Sequence, residues 1–475
     1  MKKLLLVIPV TFLLLHFSYQ SDGPNMWTQS LSGSGGIWQN CIVIHPTNPL
    51  IMYAASNTSG IWKSTNGGLN WTQSNGGLTN LTMQAISISK SNPNVLYCGT
   101  GATGFNAGLY KSTDAAVTWT AINTGITDSA GTQEFIIDPT DPNIAYVCVW
   151  NASNANNVIN GLYKTTNGGT LWAPATTGMG TNKNIICLAI NPLNRNVLYA
   201  GTSFMVPNPP GTGPTFIYKS NNQGVSWTSV STGLPSTPTD LNPVRALSIS
   251  TVDTSLILAA LFQNNANGGA YVSTNGGTSW TRKSNGLPTT LNLLLRSCLI
   301  RPGTTNQFFL GLDIAAPANV GVWRTTDGGN SWSSFNSGVM LSTYVVRALT
   351  FRTTADSTLF AGVAGTTGQG VYEYSFGPLG IPDPNVVPKD FSLLQNYPNP
   401  FNPVTKIVYQ IPKASYVKLS VFDASGKLVR ILFEGMQTQL TNTLEFNASD
   451  LSSGVYFYEM NAGDFRDVKK MILVK

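Results

Sequence analysis

Charged and metal-binding side chains are scarce in this chain of 475 residues. Only 10% of the residues are Asp, Glu, Lys or Arg, and only two are histidines. His16 lies in the first apolar run and His45 stands beside Pro46, so neither is placed for a catalytic triad or a metal cluster. Five cysteines without short spacings argue against a disulfide framework or a zinc site. We therefore expect no metal, no cofactor, and buried free thiols at Cys41, Cys98, Cys148, Cys187 and Cys298.

Basic stripes, phosphate-binding loops and long hydrophobic runs are missing as well. The formal net charge of +6 is spread along the chain, whereas nucleic-acid binding needs a concentrated basic face. The glycine pairs follow no strand-to-helix pattern, which excludes a nucleotide loop. No segment after residue 17 is long and apolar enough for a membrane span. We expect a monomer without a nucleic-acid partner and without an integral membrane span.

The first residues have the pattern of a secretory signal peptide. Met1-Lys2-Lys3 precedes the apolar run Leu4–Phe17. This run is shorter than the ~20 residues that a membrane anchor needs. We therefore assign residues 1–21 to a signal peptide, with cleavage near residue 20, and predict that the mature protein leaves the cytoplasm.

The chain is rich in copies of one hairpin. The segment Gly321–Trp332 (GVWRTTDGGNSW) recurs, with variations, at 60–71, 108–119, 161–172, 216–227 and 269–280. The final tryptophans fall at 71, 119, 172, 227, 280 and 332, and this regular period indicates a repeat architecture. In each copy an apolar strand enters a turn of Asn or Asp with Gly, and a second strand begins near the Trp.

These copies resemble the Asp-box (BNR) repeat of sialidases, sortilin-type receptors and several glycan-active propellers. The shared pattern is S/T-x-D/N-x-G-x-S/T-W. The resemblance implies a β-propeller, and it places the box on the outer hairpin of each blade, away from the usual binding face. Ala116 replaces a glycine in the second copy, so we expect a strained or differently built turn there. The Asp position is Asn in four copies: Asn66, Asn167, Asn222 and Asn275.

Seven periods can be counted although there are only six boxes. Two short apolar strands precede each box hairpin, and this pair occurs a seventh time before Gly370–Phe376, which no Trp strand follows. Met26–Ser30 (MWTQS) matches Asn70–Ser74 (NWTQS), so the N-terminal strand is predicted to complete the last blade. The sequence thus predicts an all-β protein with a closed seven-bladed β-propeller at residues 22–376.

A candidate binding site follows from aligning the first strand of every blade. Equivalent positions near the central channel are held by Asn40, Gln84, Gln133, Ile186, Arg245, Arg296 and Arg347. Three consecutive blades present Arg, and guanidinium groups bind carboxylates bidentately. The related sialidases use an arginine triad on a substrate carboxylate. The alternative is that the arginines pair with acids such as Asp240, Asp313 or Glu373.

Two aromatic residues near longer loops complete the candidate ligand site. Trp150 and Phe204 would offer stacking faces to a sugar or peptide, or would belong to the local core. The candidate ligand-binding residues are therefore Arg245, Arg296, Arg347, Gln84, Gln133, Trp150 and Phe204.

Catalysis has little support in the sequence. Glycosidic cleavage needs two carboxyl groups about 5 to 10 Å apart, and the acids available for the loop face are scattered over several blades: Asp128, Glu134, Asp240, Asp313 and Glu373. We assign no catalytic residue and favour a propeller that binds an extracellular glycan, peptide or envelope partner. The alternatives are a glycoside hydrolase, sialidase-like or endoglucanase-like, and an assembly scaffold similar to the photosystem-assembly propellers.

The C-terminal part differs in composition. Residues 377–390 are Pro-rich and are predicted to form a linker, and residues 391–475 are predicted to form a small Ig-like β-sandwich of about seven strands. Four motifs resemble the type IX secretion sorting domain of Bacteroidota-related bacteria: Gln395–Pro403, Val421–Gly426, Leu451–Tyr458 and Lys469–Lys475. The resemblance implies that the secretion machinery reads 391–475 and exports the protein to the outer cell surface or the medium. The alternative is an adhesive Ig-like module.

Overall fold

The computed structural model describes most of the chain between Met26 and Val474. The described ranges are 26–101, 108–126, 131–150, 161–180, 183–203, 216–236, 242–262, 267–288, 294–313, 321–337, 345–353, 357–365, 368–376, 390–396, 399, 401–438 and 440–474. Every regular element in these ranges is a β-strand, and none of their residues belongs to a helix that could cross a bilayer. The predicted signal peptide and nearly all of the predicted linker lie outside the described residues.

Seven four-stranded antiparallel sheets form the first domain, which confirms the predicted blade count. Each blade runs from an inner strand to a short outer strand. Blade 1 contains β2 (Ile37–Ile44), β3 (Met52–Ser56), β4 (Gly60–Ser64) and β5 (Thr72–Gln73); blade 2 contains β6 (Met83–Ile88), β7 (Leu96–Thr100), β8 (Leu109–Ser112) and β9 (Thr120–Ala121); blade 3 contains β10 (Gly131–Ile137), β11 (Ala145–Trp150), β12 (Gly161–Thr165) and β13 (Ala173–Pro174).

The remaining blades repeat this arrangement. Blade 4 contains β14 (Ile185–Ile190), β15 (Leu198–Thr202), β16 (Ile217–Ser220) and β17 (Thr228–Ser229); blade 5 contains β18 (Val244–Ile249), β19 (Ile257–Leu261), β20 (Gly269–Ser273) and β21 (Thr281–Arg282); blade 6 contains β22 (Leu294–Ile300), β23 (Phe308–Asp313), β24 (Gly321–Thr325) and β25 (Ser333–Ser334); blade 7 contains β26 (Val345–Arg352), β27 (Thr358–Ala364), β28 (Gly370–Ser375) and β1 (Trp27–Ser32).

The N-terminal strand closes the ring, as the sequence predicted. Strand β1 pairs antiparallel with β28, and Trp27 lies opposite Tyr374. The Trp27 indole N–H donates to the Phe335 carbonyl at 2.7 Å, and its main-chain N–H donates to the Ser337 carbonyl at 3.0 Å. Strand β1 therefore joins the last blade to the one before it, so that no long sheet edge is left open.

The box tryptophans join each blade to its predecessor. Five of the six donate their indole N–H to a main-chain carbonyl of the preceding blade at 2.8 to 2.9 Å: Trp119 to Ser74, Trp172 to Ile122, Trp227 to Ala175, Trp280 to Val230, and Trp332 to Lys283. Trp71 differs, because its indole N–H reaches the Gly68 carbonyl of its own turn and the Ser30 hydroxyl. The repeat thus encodes contacts between blades as well as the hairpin itself.

The turn of the second box is strained, as expected from Ala116, which replaces a glycine there. Ala115 and Ala116 have φ angles of 60° and 69°, in the left-handed region that disfavours a side chain. The Ala116 N–H still donates to the Ser112 hydroxyl at 2.9 Å, as the Gly68 N–H does to Ser64 in the first box. The turn therefore keeps the geometry of the other boxes and bears the backbone strain.

Replacing Ala115 with glycine is expected to raise the free energy of unfolding by about 1 kcal/mol, because glycine adopts a positive φ without the steric cost. Urea unfolding of the propeller measures this change. The matched control is Ala121→Gly in strand β9 of the same blade, where glycine should destabilise by about 0.5–1 kcal/mol. Equal effects of the two substitutions would show that the turn at Ala115 is not strained.

A seven-stranded β-sandwich forms the C-terminal domain, in agreement with the prediction. One sheet contains β29 (Ser392–Leu393), β30 (Val404–Ile411) and β33 (Leu440–Asn447); the other contains β32 (Leu428–Gln437), β31 (Ser415–Asp423), β34 (Gly454–Ala462) and β35 (Phe465–Leu473). Its core includes Phe401, Tyr409, Phe446, Tyr458 and Met471, all at most 2% exposed. This domain has its own hydrophobic core, as an independent folding unit requires.

Candidate functional site

An extra residue in the inner strands supplies side chains to the central channel. In blades 2 to 7 the pairing of the first with the second strand skips one residue, which is a β-bulge and re-aims that side chain. The skipped residues are Gln84, Gln133, Ile186, Arg245, Arg296 and Arg347. All six line one pocket of about 430 Å³. The structure therefore brings together five of the seven residues predicted to bind ligand, although their role in binding remains a prediction.

Blade 1 departs from this pattern. Its pairing jumps from Ile37 to Ile42, so the segment Trp38–Cys41 has no partner on β3. Trp38 and Gln39 line the pocket, whereas Asn40 does not. The prediction that Asn40 occupies a position equivalent to the six bulge residues is therefore wrong, because the longer irregularity of blade 1 shifts which side chains face the channel.

The Trp38–Cys41 segment reaches two other blades. The Gln39 side-chain amide donates to the carbonyl of Arg245 on blade 5, and the Asn40 amide donates to Glu134 Oε1 on blade 3 at 2.6 Å. Blade 5 lies on the far side of a seven-membered ring from blade 1. The segment therefore crosses the channel, and two of its residues form part of the pocket wall.

Two of the three arginines share one carboxylate. Arg296 Nε and Arg347 Nη2 donate to Asp313 Oδ2 at 2.9 and 3.3 Å. Both arginine side chains are less than one fifth exposed, and Asp313 is 7% exposed. The alternative expectation, that nearby acids pair with the arginines, thus holds for these two. Arg347 also lies over the Trp38 ring, with its guanidinium carbon 4.2 Å from the ring centroid, in cation–π geometry.

Positive charge is in excess around the pocket. Among the described residues, three guanidinium groups line the pocket and one carboxylate, that of Asp313, pairs with them, which leaves an excess of two positive charges there. Burial, and then repulsion from Arg296, lowers the pKa of Arg245 to about 10, so that this side chain stays charged at neutral pH. Burial followed by repulsion from Arg296 also lowers the pKa of Arg347. Such a site favours an anion over a neutral ligand.

Several buried polar atoms at this site have no hydrogen-bond partner among the described residues. They are Arg245 Nε, Arg347 Nε, Trp38 Nε1 and Thr132 Oγ1. A buried group of this kind costs about 1–3 kcal/mol when it stays unpaired. In native proteins such groups call for an explanation, and the described residues supply none.

Glu134 lies inside the propeller and does not belong to the loop face assumed for it from the sequence. It is 8% exposed, and its Oε2 accepts a hydrogen bond from the Leu188 N–H at 2.8 Å. Burial raises the pKa of Glu134 to about 8, although the bonds from Leu188 and Asn40 favour the ionised form. Burial, and to a lesser extent the charge of Glu134, raises the pKa of four nearby thiols, those of Cys41, Cys148, Cys187 and Cys298. All five cysteines are free and buried, as predicted.

The other candidate residues are only partly covered by the structure. Trp150 ends strand β11, but its side chain lies outside the described residues, as do Phe204, Asp128 and Asp240. Glu373 is half-buried on β28 and is not among the described residues that line the pocket. Those lining residues include no Asp or Glu, and no cluster of three potential metal ligands occurs in the described ranges.

Sequence reasoning missed five residues of the pocket wall: Trp38, Gln39, Thr132, Asn184 and Ser203. Thr132 directly precedes a bulge residue, and Asn184 stands two positions before another. Only an alignment that allowed more than one residue per blade to face the channel would have found them.

A second groove, of about 510 Å³, lies between blades 5 and 6 near Lys283 and Asn330. Its lysine already donates to the Asn330 side chain, so the channel pocket is the stronger candidate site.

The fold and the C-terminal motifs define the class of protein: a seven-bladed β-propeller with a C-terminal export domain. Residues 395–475 match the family model described as "Secretion system C-terminal sorting domain". The C-terminal domain is therefore a type IX secretion sorting domain, and the protein is exported by that system to the cell surface or the medium. No curated protein sequence matches the chain.

Solved structures resemble this chain at low identity. The GH74 xyloglucanase from Xanthomonas campestris has a TM-score of 0.52 and 14% identity over 82% of this chain, which spans 60% of the xyloglucanase. YCF48 from Cyanidioschyzon merolae has a TM-score of 0.47 and 15% identity, with 74% of this chain and 98% of that one covered. PorZ, a surface component of the type IX secretion system of Porphyromonas gingivalis, has a TM-score of 0.40 and 14% identity, with 91% and 51% covered. The first likeness supports the propeller fold and says nothing about activity.

Proposed function

We propose that this exported propeller binds an anionic extracellular ligand through its channel pocket and does not cleave it. The ligand class that we propose is an acidic glycan. The observation that carries the proposal is that Arg245, Arg296 and Arg347 line one pocket, while Asp313 is the one carboxylate among the described residues that pairs with any of them. The excess positive charge matches the carboxylate of a ligand, which Arg binds through short charge-assisted hydrogen bonds.

The composition of the pocket supports a glycan. The arginines come from blades 5, 6 and 7, whereas blades 2, 3 and 4 contribute neutral polar side chains, among them Gln84, Gln133 and Asn184. Amide groups both donate and accept hydrogen bonds, as recognition of sugar hydroxyls requires. The pocket thus has one cationic side and one neutral polar side, which suits a ligand that carries a carboxylate on a hydroxyl-rich ring.

The alternative of a glycoside hydrolase has less support. That reaction needs a pair of carboxyl groups flanking the scissile bond. No described residue that lines the pocket supplies one, and Asp313 is already engaged by two arginines. The likeness to a xyloglucanase shows the fold alone.

We expect trigalacturonate to bind the full mature protein with at least about tenfold higher affinity than its carboxyl-reduced counterpart, a difference of about 1.4 kcal/mol. Titration calorimetry measures both affinities, and the preference should weaken only slightly with added salt, because partly buried charges are screened less than exposed ones. Acidic peptides are titrated in the same way, as a second class of anionic ligand. Equal affinity for the acidic and the reduced trisaccharide would contradict the proposal, and release of reducing sugar from either would contradict its non-catalytic part.

A further inference from the structure

The segment Trp38–Cys41 is held across the channel by side chains instead of strand pairing. It has no register partner on β3, although the flanking residues Ile37 and Ile42 pair with Ser56 and Ala54. The anchors that the structure shows for its side chains are Gln39 to the Arg245 carbonyl, Asn40 to Glu134, and Trp38 to the guanidinium of Arg347. Its position therefore depends on a few specific contacts with other blades.

The central anchor is the contact between Asn40 and Glu134. Asn40 has a φ of 54°, a left-handed conformation that Asn tolerates better than most residues but that still costs energy. This conformation coincides with the 2.6 Å bond from its amide to Glu134 Oε1. The other oxygen of Glu134 accepts the Leu188 N–H of blade 4. The buried carboxyl group of Glu134 thus connects blades 1, 3 and 4 beside the channel.

We propose that Glu134 is a positioning residue for the channel pocket: through Asn40 it holds the Trp38–Cys41 segment across the channel and so keeps the arginines in their binding arrangement. The inference rests on the proposed function, since it concerns the same pocket. Glu134 does not line the pocket and does not touch the ligand. It acts through Gln39, which contacts the main chain of Arg245, and through Trp38, whose ring supports Arg347.

The segment contains its own reporter. Cys41 directly follows Asn40, is fully buried, and is free. Release of the segment would expose this thiol to alkylation, because local opening governs the reactivity of buried groups. Cys298 on β22 of blade 6 is also buried, belongs to a different core cluster and lies in a regularly paired strand, so it serves as the internal reference.

The decisive variant is Asn40→Gly. Glycine adopts the positive φ freely, so the backbone loses strain while the bond to Glu134 is removed. We expect alkylation of Cys41 by N-ethylmaleimide, followed by peptide mass spectrometry, to become at least about tenfold faster relative to Cys298, the equivalent of about 1.4 kcal/mol. Affinity for trigalacturonate should fall by a similar factor. Glu134→Ala should behave in the same way, and Glu134→Gln should be intermediate, because the Gln oxygen accepts only one of the two donors.

Gln223→Gly is the matched control. Gln223 also has a positive φ, 56°, and its side-chain amide donates to the Asn196 side chain at 2.8 Å on the outer turn of blade 4. This variant should leave both Cys41 alkylation and ligand affinity unchanged. Alkylation of Cys41 is measured without ligand. If the wild-type protein does not bind trigalacturonate, the proposed function is contradicted, but the alkylation test can still be carried out. The positioning role would be overturned if Cys41 in Asn40→Gly were alkylated at the same rate as in the wild type. It would also be overturned if alkylation became faster while the affinity for a ligand that binds the wild type stayed unchanged.

Discussion

Replacing Trp27 with alanine is expected to lower the free energy of unfolding of the propeller by about 3–5 kcal/mol, the usual cost of truncating a buried Trp. Trp27 is 1% exposed and packs against Phe335 and Tyr374, with ring centroids 6.1 and 5.5 Å away. The substitution removes this packing and the indole hydrogen bond to the Phe335 carbonyl. Because β1 completes blade 7, losing these contacts weakens the closure of the ring.

Urea unfolding followed by tryptophan fluorescence measures this effect selectively. All eleven tryptophans lie between residues 27 and 332, so the signal reports on the propeller and not on the C-terminal domain. Trp71→Ala is the matched control, because Trp71 holds the same position in its blade but is only half-buried; its indole N–H donates to the Gly68 carbonyl of its own turn at 2.9 Å and to the Ser30 hydroxyl of β1 at 3.1 Å. It should cost about 1–2 kcal/mol. If Trp27→Ala costs no more than Trp71→Ala, strand β1 does not hold the ring closed.

Replacing Asp313 with asparagine is expected to destabilise the propeller by about 2–4 kcal/mol. The substitution removes the only carboxylate that the described residues place on Arg296 and Arg347, and it leaves three guanidinium groups near one another without a counter-charge. Breaking a buried ion pair typically costs 3–5 kcal/mol, and the partial exposure of these side chains lowers that figure. The same change raises the positive charge of the pocket, so trigalacturonate should stabilise this variant more than it stabilises the wild type.

Asp114→Asn provides the control for this experiment. Asp114 is exposed in the second box, and four other boxes already have Asn at that position. In two of them the Asn side chain donates to the following Ser hydroxyl at 2.8 and 2.9 Å, so the turn keeps an equivalent bond. Surface changes of this kind usually stay within about 0.5 kcal/mol.

Both variants are best measured in urea, because an ionic denaturant would screen the charges being tested. Equal stability of the two variants would show that Asp313 does not balance the arginines.

The repeat made most of the fold predictable. The spacing of the box tryptophans, the two apolar strands before each box, and the match between residues 26–30 and 70–74 led to seven blades and to a ring closed by the N-terminal strand. These features are local or periodic, so each copy supports the others. The C-terminal motifs identified the sorting domain for a similar reason, since four of them occur in order along one segment.

The candidate site was predictable only where it follows the same period. The bulge positions of blades 2 to 7 could be aligned because each blade places one residue at the same point of its inner strand. Blade 1 breaks the period, and alignment therefore assigned the channel position to Asn40 although Trp38 and Gln39 line the pocket. The depth of Glu134 was equally hidden, because it depends on contacts with Asn40 and Leu188 from two other blades.

By itself, the sequence determined the architecture and the route of export, because strand periodicity, turn residues and sorting motifs act over short stretches of chain. Only the tertiary structure decided which charges meet. In the folded chain, Asp313 pairs with both Arg296 and Arg347. The Trp38–Cys41 segment crosses the channel and contacts blades 3 and 5. Such contacts join residues up to about two hundred positions apart, and their energies depend on burial and distance, which no local pattern encodes.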